Sequence, residues 1–179
     1  MRLPWTRDRE EDPYWDAFIS RPPVDPNNLL PHAFKQARGG GVNPARTEIH
    51  SPNVMAEHIK ELGRFYGADR VGIVERSGSG SGSGLNPPFA IVCLLKADYD
   101  TRTARGIGGQ VPALKGMFAT FTLAAYIREL GYRADCVELP EAAELAVAAG
   151  LLPVPKARHV HVADVILTDL PLRPDGRAP

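Results

Sequence analysis

The sequence predicts a mixed α/β (α+β) domain, a mixed sheet of about four strands with flanking helices, carried behind an extended N-terminal arm. Three observations predict it. Apolar periodicity gives the order helix–strand–strand–helix–strand–helix–strand. A length of 179 residues with 44% hydrophobic content suits one core of useful size. Glycine and proline, 17 of each, exceed average usage and fall largely into segments outside the periodic stretches.

Taken in order, residues 1–50 carry prolines at 4, 13, 22, 23, 26, 31 and 44 and the run Gly39-Gly40-Gly41, the composition of an extended arm. Trp5, Tyr14, Trp15 and Phe18 are too bulky for a purely solvating tail. They suit packing on the domain, on a second subunit, or over a ligand cleft. The spacing of Met55, Ile59, Leu62 and Phe65/Tyr66 predicts a helix over 52–67, with Ser51 as cap, Pro52 in the first turn and Gly67 as stop. Arg70–Val74 reads as a buried strand. The (Ser-Gly)4 tract at 77–84 has no core-forming side chains and reads as a linker, of natural or engineered origin.

Pro88–Lys96 is a near-continuous apolar run, fit for a central strand covered on both faces, with Cys93 as a buried thiol. Residues 97–110 are polar and Gly-rich, hence a loop. A second helix is expected over 111–130, stopped by Gly131. A strand follows over 132–139, then a short Ala-rich helix over 141–149 closed by Gly150. His159–Thr168 alternates and then becomes continuously apolar, as one inner strand would. The expected organisation is an arm over 1–50, a domain over 51–170 and an irregular tail over 171–179.

Twenty-one basic and 21 acidic side chains leave a formal net charge of zero, which argues against non-specific nucleic-acid binding and offers no polybasic case for a membrane surface. No apolar run approaches the roughly 20 residues of a membrane span. The first residues show no export signal, so a cytoplasmic location is the default expectation. Two cysteines, Cys93 and Cys136, exclude a disulfide framework and a CxxC zinc site. They also leave this chain without the thiolates for an iron–sulfur cluster.

Three places carry residues of chemical interest. Gly106-Ile107-Gly108-Gly109-Gln110 precedes the long helix, where backbone N–H groups can meet an anion, although the spacing matches no phosphate-binding motif. Asp98, Tyr99, Asp100, Arg102 and Arg105 follow the central strand, the end at which open α/β sheets take ligands; the plain alternative is a solvated loop. His159 and His161 stand two apart on one strand face. They could ligate a metal, but no third ligand is placed by spacing, so a half-exposed sheet face is favoured. Asp164 and Asp169 suit caps or turns.

Three strings together resemble one family: AEHIKELGRFYGADRVGIVE (56–75), FTLAAYIRELGYRADCVELPEAAELAVAAGL (121–151) and HVHVADVILTDLPLRPDGRAP (159–179). In order and spacing they look like reductive dehalogenases and epoxyqueuosine-reductase-like proteins, over residues 54–179. The resemblance implies a nitroreductase-like fold holding a corrinoid (cobalamin). It also implies a ferredoxin-like iron–sulfur segment beyond the Pro-Asp turn, where this chain stops at Pro179. With a corrinoid bound, Tyr99, Arg102, Gly106, Gly108, Gly109 and Lys115 are the expected lining residues. The family's catalytic tyrosine falls where this sequence reads Gly116-Met117-Phe118-Ala119-Thr120-Phe121, so no catalytic residue is carried over. A corrinoid-binding domain lacking its iron–sulfur segment, incomplete as a catalyst alone, is the leading expectation. A cofactor-free interaction subunit, as a homodimer or on an iron–sulfur-bearing partner, is one alternative. A flavin (FMN) reductase, from the shared nitroreductase fold, is the other.

Overall fold

The computed structural model describes residues 39–76, 87–97, 99–100, 107–155 and 157–175, with the backbone alone at 107–109. The arm's Trp5, Tyr14, Trp15 and Phe18, the Ser-Gly tract, and Asp98, Arg102, Arg105 and Gly106 lie outside the described residues.

Helix α1 spans Pro52–Phe65 and starts as expected, with the Ser51 hydroxyl accepting from the Val54 N–H and Pro52 in the first turn. Gly67 ends it at φ +107°, a left-handed conformation that costs glycine little. Ala56, Ile59 and Gly63 form the buried stripe. Strand β1 (Arg70–Glu75) returns beneath α1 and pairs antiparallel with β2 (Phe89–Lys96), Ile73 opposite Ile91. Six consecutive residues of β2, Ala90–Leu95, are buried, so it is covered on both faces as its apolar run predicts.

Helix α2 begins earlier than expected. It spans Ile107–Glu129, so Gly108, Gly109 and Gln110 belong to its first turn and not to a loop. Two glycines at about 1 kcal/mol each argue locally against a helix. Twenty further residues that bury an apolar face on the sheet outweigh that local cost. Strand β3 is shorter than expected, Ala134–Val137. The preceding Arg133 N–H turns to the Asp169 carboxylate at 2.7 Å, a side chain that cannot continue a ladder. Helix α3 (Ala142–Ala148) follows, and Gly150 turns the chain at φ +68°.

The expected single strand over His159–Thr168 is two strands, β4 (Val160–Val162) and β5 (Val165–Thr168), both antiparallel to β2. Leu94 faces Val162 and Ile91 faces Ile166. Val92 and Cys93 therefore oppose Ala163, Asp164 and Val165. One extra residue on the second strand is a β-bulge. It shifts the alternation by one: Ala163 and Ile166 both join the helix-side core, while Val165 and Leu167 face the other way.

The sheet runs β1-β2-β5-β3, with β4 beside β2 beyond the bulge, and every pairing is antiparallel. Helices α1 and α2 cover one face over Ile59, Ile73, Ile91, Leu123, Ile127 and Ile166, all fully buried. Helix α3 covers part of the other face over Val92 and Leu94. Each such aliphatic side chain contributes roughly 1.5–3 kcal/mol of transfer free energy.

Two irregular segments are fastened to this core. Residues 39–50 lie across the C-terminal end of α2, where Asn43 N–H meets Arg128 O at 3.0 Å and Thr47 N–H meets Leu130 O at 2.9 Å. Residues after β5 cross to the far edge. Asp175 donates its N–H to Ile73 O at 2.8 Å, and its Oδ2 accepts the Ile73 N–H at 2.8 Å. That contact occupies the middle of the open edge of β1. Lys60 reaches the other Asp175 oxygen at 2.5 Å. Burial lowers the Lys60 pKa, but its hydrogen bonds to Asp175 and Glu57 outweigh that, and the net direction is upward.

Candidate functional site

The end of the sheet where β2 exits, β4 begins and α2 starts is the candidate site. The direction of α2 follows from its contacts. Its Arg128 reaches Ala134 O, and Ala134 stands opposite Thr168, which stands opposite Phe89 at the start of β2. Gly116 lies over Leu95 and Ala163, near the end of β2. The helix therefore runs antiparallel to β2, and its N-terminal turns project toward the exit of that strand.

Gly116 fixes how close α2 comes. A Cβ there would stand 2.8 Å from Ala163 Cβ and 3.0 Å from Leu95 Cδ1. No larger side chain fits without moving the helix off the bulge. Positions 108, 112 and 116 share one face at helical spacing. Pro112, buried, stands a turn beyond Gly116, and Gly108 a turn beyond that. Proline carries no N–H, so the carbonyl of Gly108 lacks the helical bond that residue 112 would otherwise donate.

Beneath that stripe lies His161. It stands opposite Leu95 and two residues before Ala163, on the sheet face that α2 covers. Burial lowers its pKa, and the nearby Asp164 carboxylate opposes the shift without reversing it. The imidazole is therefore neutral near pH 7, with one ring nitrogen donating and the other accepting. Among the described residues nothing hydrogen-bonds to its ring.

His159 behaves differently, and the expectation of two histidines on one strand face is corrected. It precedes β4, is exposed, and sits at φ +59°, a left-handed conformation unusual for a residue with a Cβ. Its carbonyl accepts the Ala97 N–H at 2.9 Å, which extends the β2–β4 pairing by one step. Among the described residues no group of three His, Cys, Asp or Glu side chains could hold a metal ion.

Of the expected lining residues, Tyr99 is half-buried two residues after Ala97, at the exit of β2. Gly108 and Gly109 lie in the first turn of α2. Lys115 is exposed, next to the inward-packed Gly116, so it leaves the helix on its solvent side. Arg102 and Gly106 lie outside the described residues. Tyr99, Gly108 and Gly109 thus lie at the end of the sheet where β2 exits and α2 begins. Read from the sequence, His161 has weight only together with His159, as one face of a single strand, because the bulge beyond His161 has no signal in the string itself.

The strings that carry the family resemblance hold the scaffold together. In Tyr126–Tyr132 the Arg128 side chain is buried and donates to Ala134 O at 2.7 Å. Gly131 at φ +85° lies against Ala45 and Arg46, with no room for a Cβ. The Tyr132 hydroxyl donates to Thr47 O at 2.8 Å, and the Arg46 guanidinium lies 4.2 Å from the centre of its ring. Tyr126 pairs with His58 at 2.9 Å between α2 and α1. In Thr168–Leu172, Asp169 holds Arg133 N–H and pairs with Arg46 at 3.6 Å. Cys93 and Cys136 are buried thiols outside any disulfide, and desolvation, then the charge of Cys136, pushes the Cys93 thiol up to about 12. They face one core from strands separated by β5, with Cys136 in register with Ile91, so the two lie roughly 12 Å apart at the backbone, beyond disulfide reach.

No family model matches the sequence, and no curated protein matches it significantly. Solved structures do. The fold is similar to that of the catabolic reductive dehalogenase NpRdhA in N-terminally tagged form, at 21% identity and a TM-score of 0.67, over 89% of this chain and 28% of that one. It is similar to a reductive dehalogenase whose structure is described as suggesting a mechanism for B12-dependent dehalogenation, at 22% identity and a TM-score of 0.65, over 84% of this chain and 26% of that one. NpRdhA in complex with 3-bromo-4-hydroxybenzoic acid matches at 19% identity and a TM-score of 0.67, over 89% and 28% of the two chains. The chain thus spans 26–28% of the length of these relatives, and it has the fold of the stretch of a reductive dehalogenase that it overlays.

Proposed function

We propose that this chain is a corrinoid-binding domain of the reductive-dehalogenase type, with the ligand at the exit of β2 and the first turns of α2. The observation that carries the reading is the structural likeness, over 84% of the chain, to a protein described by B12-dependent dehalogenation. The donor set at this end of the sheet fits such a ligand. A corrinoid ligates its own cobalt, so it asks the protein for a platform and for partners to the primary amides on its rim. A neutral, half-buried imidazole at His161 is a partner of that kind. Bound there, the group supplies a cobalt centre able to accept and pass on electrons.

The residues of this chain position and enclose. Gly116 lets α2 close on the bulge, and Ala163 and Leu95 form an apolar floor that keeps water from beneath the site. Electron delivery from iron–sulfur clusters falls to residues other than these two buried cysteines. The test is a spectrum. Purified chain mixed with excess hydroxocobalamin and desalted is expected to keep the corrinoid absorption bands in near-stoichiometric amount. A colourless protein overturns the reading. A yellow protein as isolated, with flavin absorption, replaces it by the FMN alternative.

A further inference from the structure

We propose that the N-terminal arm docks on its own domain, with Tyr14, Trp15, Phe18 and Ile19 covering the outward flank of α2 formed by Val111, Leu114, Phe118, Phe121 and Ala125. The inference goes beyond the corrinoid reading and does not depend on it. Three observations converge. The first is that α2 is apolar on both sides. Ala119, Leu123 and Ile127 are fully buried toward the sheet. On the opposite side, at helical spacing, stand Leu114, Phe118, Phe121 and Ala125, with Val111 at the end of the row. From Ile107 to Ile127 the only charged residue is Lys115. A surface helix carries its charges on the side away from the core, and a helix that is apolar all round belongs under cover. Phe118 is nevertheless 48% exposed and Val111 37%.

The second observation is the path of the chain. Residues 39–50 lie across the C-terminal end of α2, and Gly40 packs so closely on Arg128 that a Cβ would stand 2.8 Å from its Nε. Phe121 and Leu114 stand about two and four turns before Arg128 on the same side of the helix. The arm therefore joins the domain at the foot of this apolar stripe. From Gly40 back to Trp15 is about 25 residues, a coil span of about 25–30 Å, and the stripe from Ala125 to Val111 is about 20 Å long. A tether of matching span holds its cargo at roughly millimolar effective concentration, which favours the arm over a second copy of the chain. The third observation is chemical. Tyr14, Trp15, Phe18 and Ile19 fall together in the arm, and each such aromatic buries roughly 150–250 Å². Phe118 and Phe121 offer rings for edge-to-face or offset packing. The contact is one of packing, so no bond is made or broken.

Trp5 and Trp15 are the two tryptophans of the chain, so indole emission reports the arm alone. The test uses the full chain carrying Trp5→Phe, which leaves Trp15 as sole reporter. Its emission is expected at the short wavelengths of a buried indole, unchanged on dilution, in a protein that scatters light as a monomer. Phe118→Ser, at an exposed position, and Leu114→Ser should each shift that emission to the red. Each should also speed proteolytic cleavage within residues 1–38 about tenfold, the effect of one lost apolar contact on the undocked population. Water-exposed emission before any flank substitution overturns the inference. A buried emission that neither serine moves overturns it as well, because the cluster then packs elsewhere. Emission that reddens on dilution overturns it in favour of a second copy. If the serine variants do not fold, Lys115→Cys decides. Cys93 and Cys136 are buried, so a nitroxide label goes to the introduced thiol, one turn from Phe118. Strong quenching of Trp15 is expected, and unquenched emission overturns the inference.

Discussion

At the scale of single residues, buried polar groups report where this fold is most sensitive. Arg128 is 6% exposed and its guanidinium satisfies the Ala134 carbonyl, while Gly40 of the arm packs against the same side chain. Arg128→Ala is expected to destabilise by about 2–4 kcal/mol, from one unsatisfied buried carbonyl and a lost aliphatic stem. Urea unfolding measures it, and limited proteolysis should show faster cleavage within residues 39–50. His161 gives a pH prediction. Its folded-state pKa lies below the ordinary 6.5, so the unfolded chain binds the proton first as pH falls. The stability it protects is complete above pH 6.5 and is lost as pH drops through the lower folded value. Wild type should therefore lose more Tm than His161→Leu between about pH 7.5 and about pH 5, and parallel curves would refute the burial of a neutral ring.

At the scale of elements, the sequence was legible where local and tertiary preferences agree. Ser51, Pro52 and Gly67 place α1 within a residue or two of its observed ends, and the apolar run of β2 marks it as the covered strand. Legibility failed where tertiary packing overrode local cost. The glycines at 108 and 109 hid the start of α2, and the run His159–Thr168, alternating and then continuously apolar, hid a bulge that only the register against β2 defines. The strap after β5 was also hidden, because Pro-rich composition gives no hint of a partner 100 residues away. Its anchor is testable. Asp175→Ala removes the acceptor from Ile73 N–H and leaves Lys60, 13% exposed, with Glu57 alone. A loss of about 1–3 kcal/mol is expected, together with faster hydrogen exchange at the Ile73 amide than at residues on the β2 side of the sheet.

At the scale of the molecule, fold and site have different sources of information. The resemblance strings fix the architecture because they hold the arm, the bulged strand pair and the edge strap. The solved structures bear that architecture out over 84–89% of the chain. The same strings hold few of the groups that would meet a ligand. The candidate residues Tyr99, Gly108 and Gly109 lie outside those strings, at the exit of β2 and in the first turn of α2. The sequence therefore carries the scaffold more plainly than it carries any chemistry.

The placement of β2 also bears on how the chain is made. Its hairpin with β1 is complete early, yet both strands that cover its other edge, β4 and β5, come near the end of the described chain. A ribosome adding roughly 5–20 residues per second needs about 4–15 seconds to deliver the roughly seventy residues in between. For that interval a strand with six inward-facing apolar residues has one unpaired edge. Nascent chains halted before residue 160 should consequently be the species most prone to aggregation and to capture by chaperones.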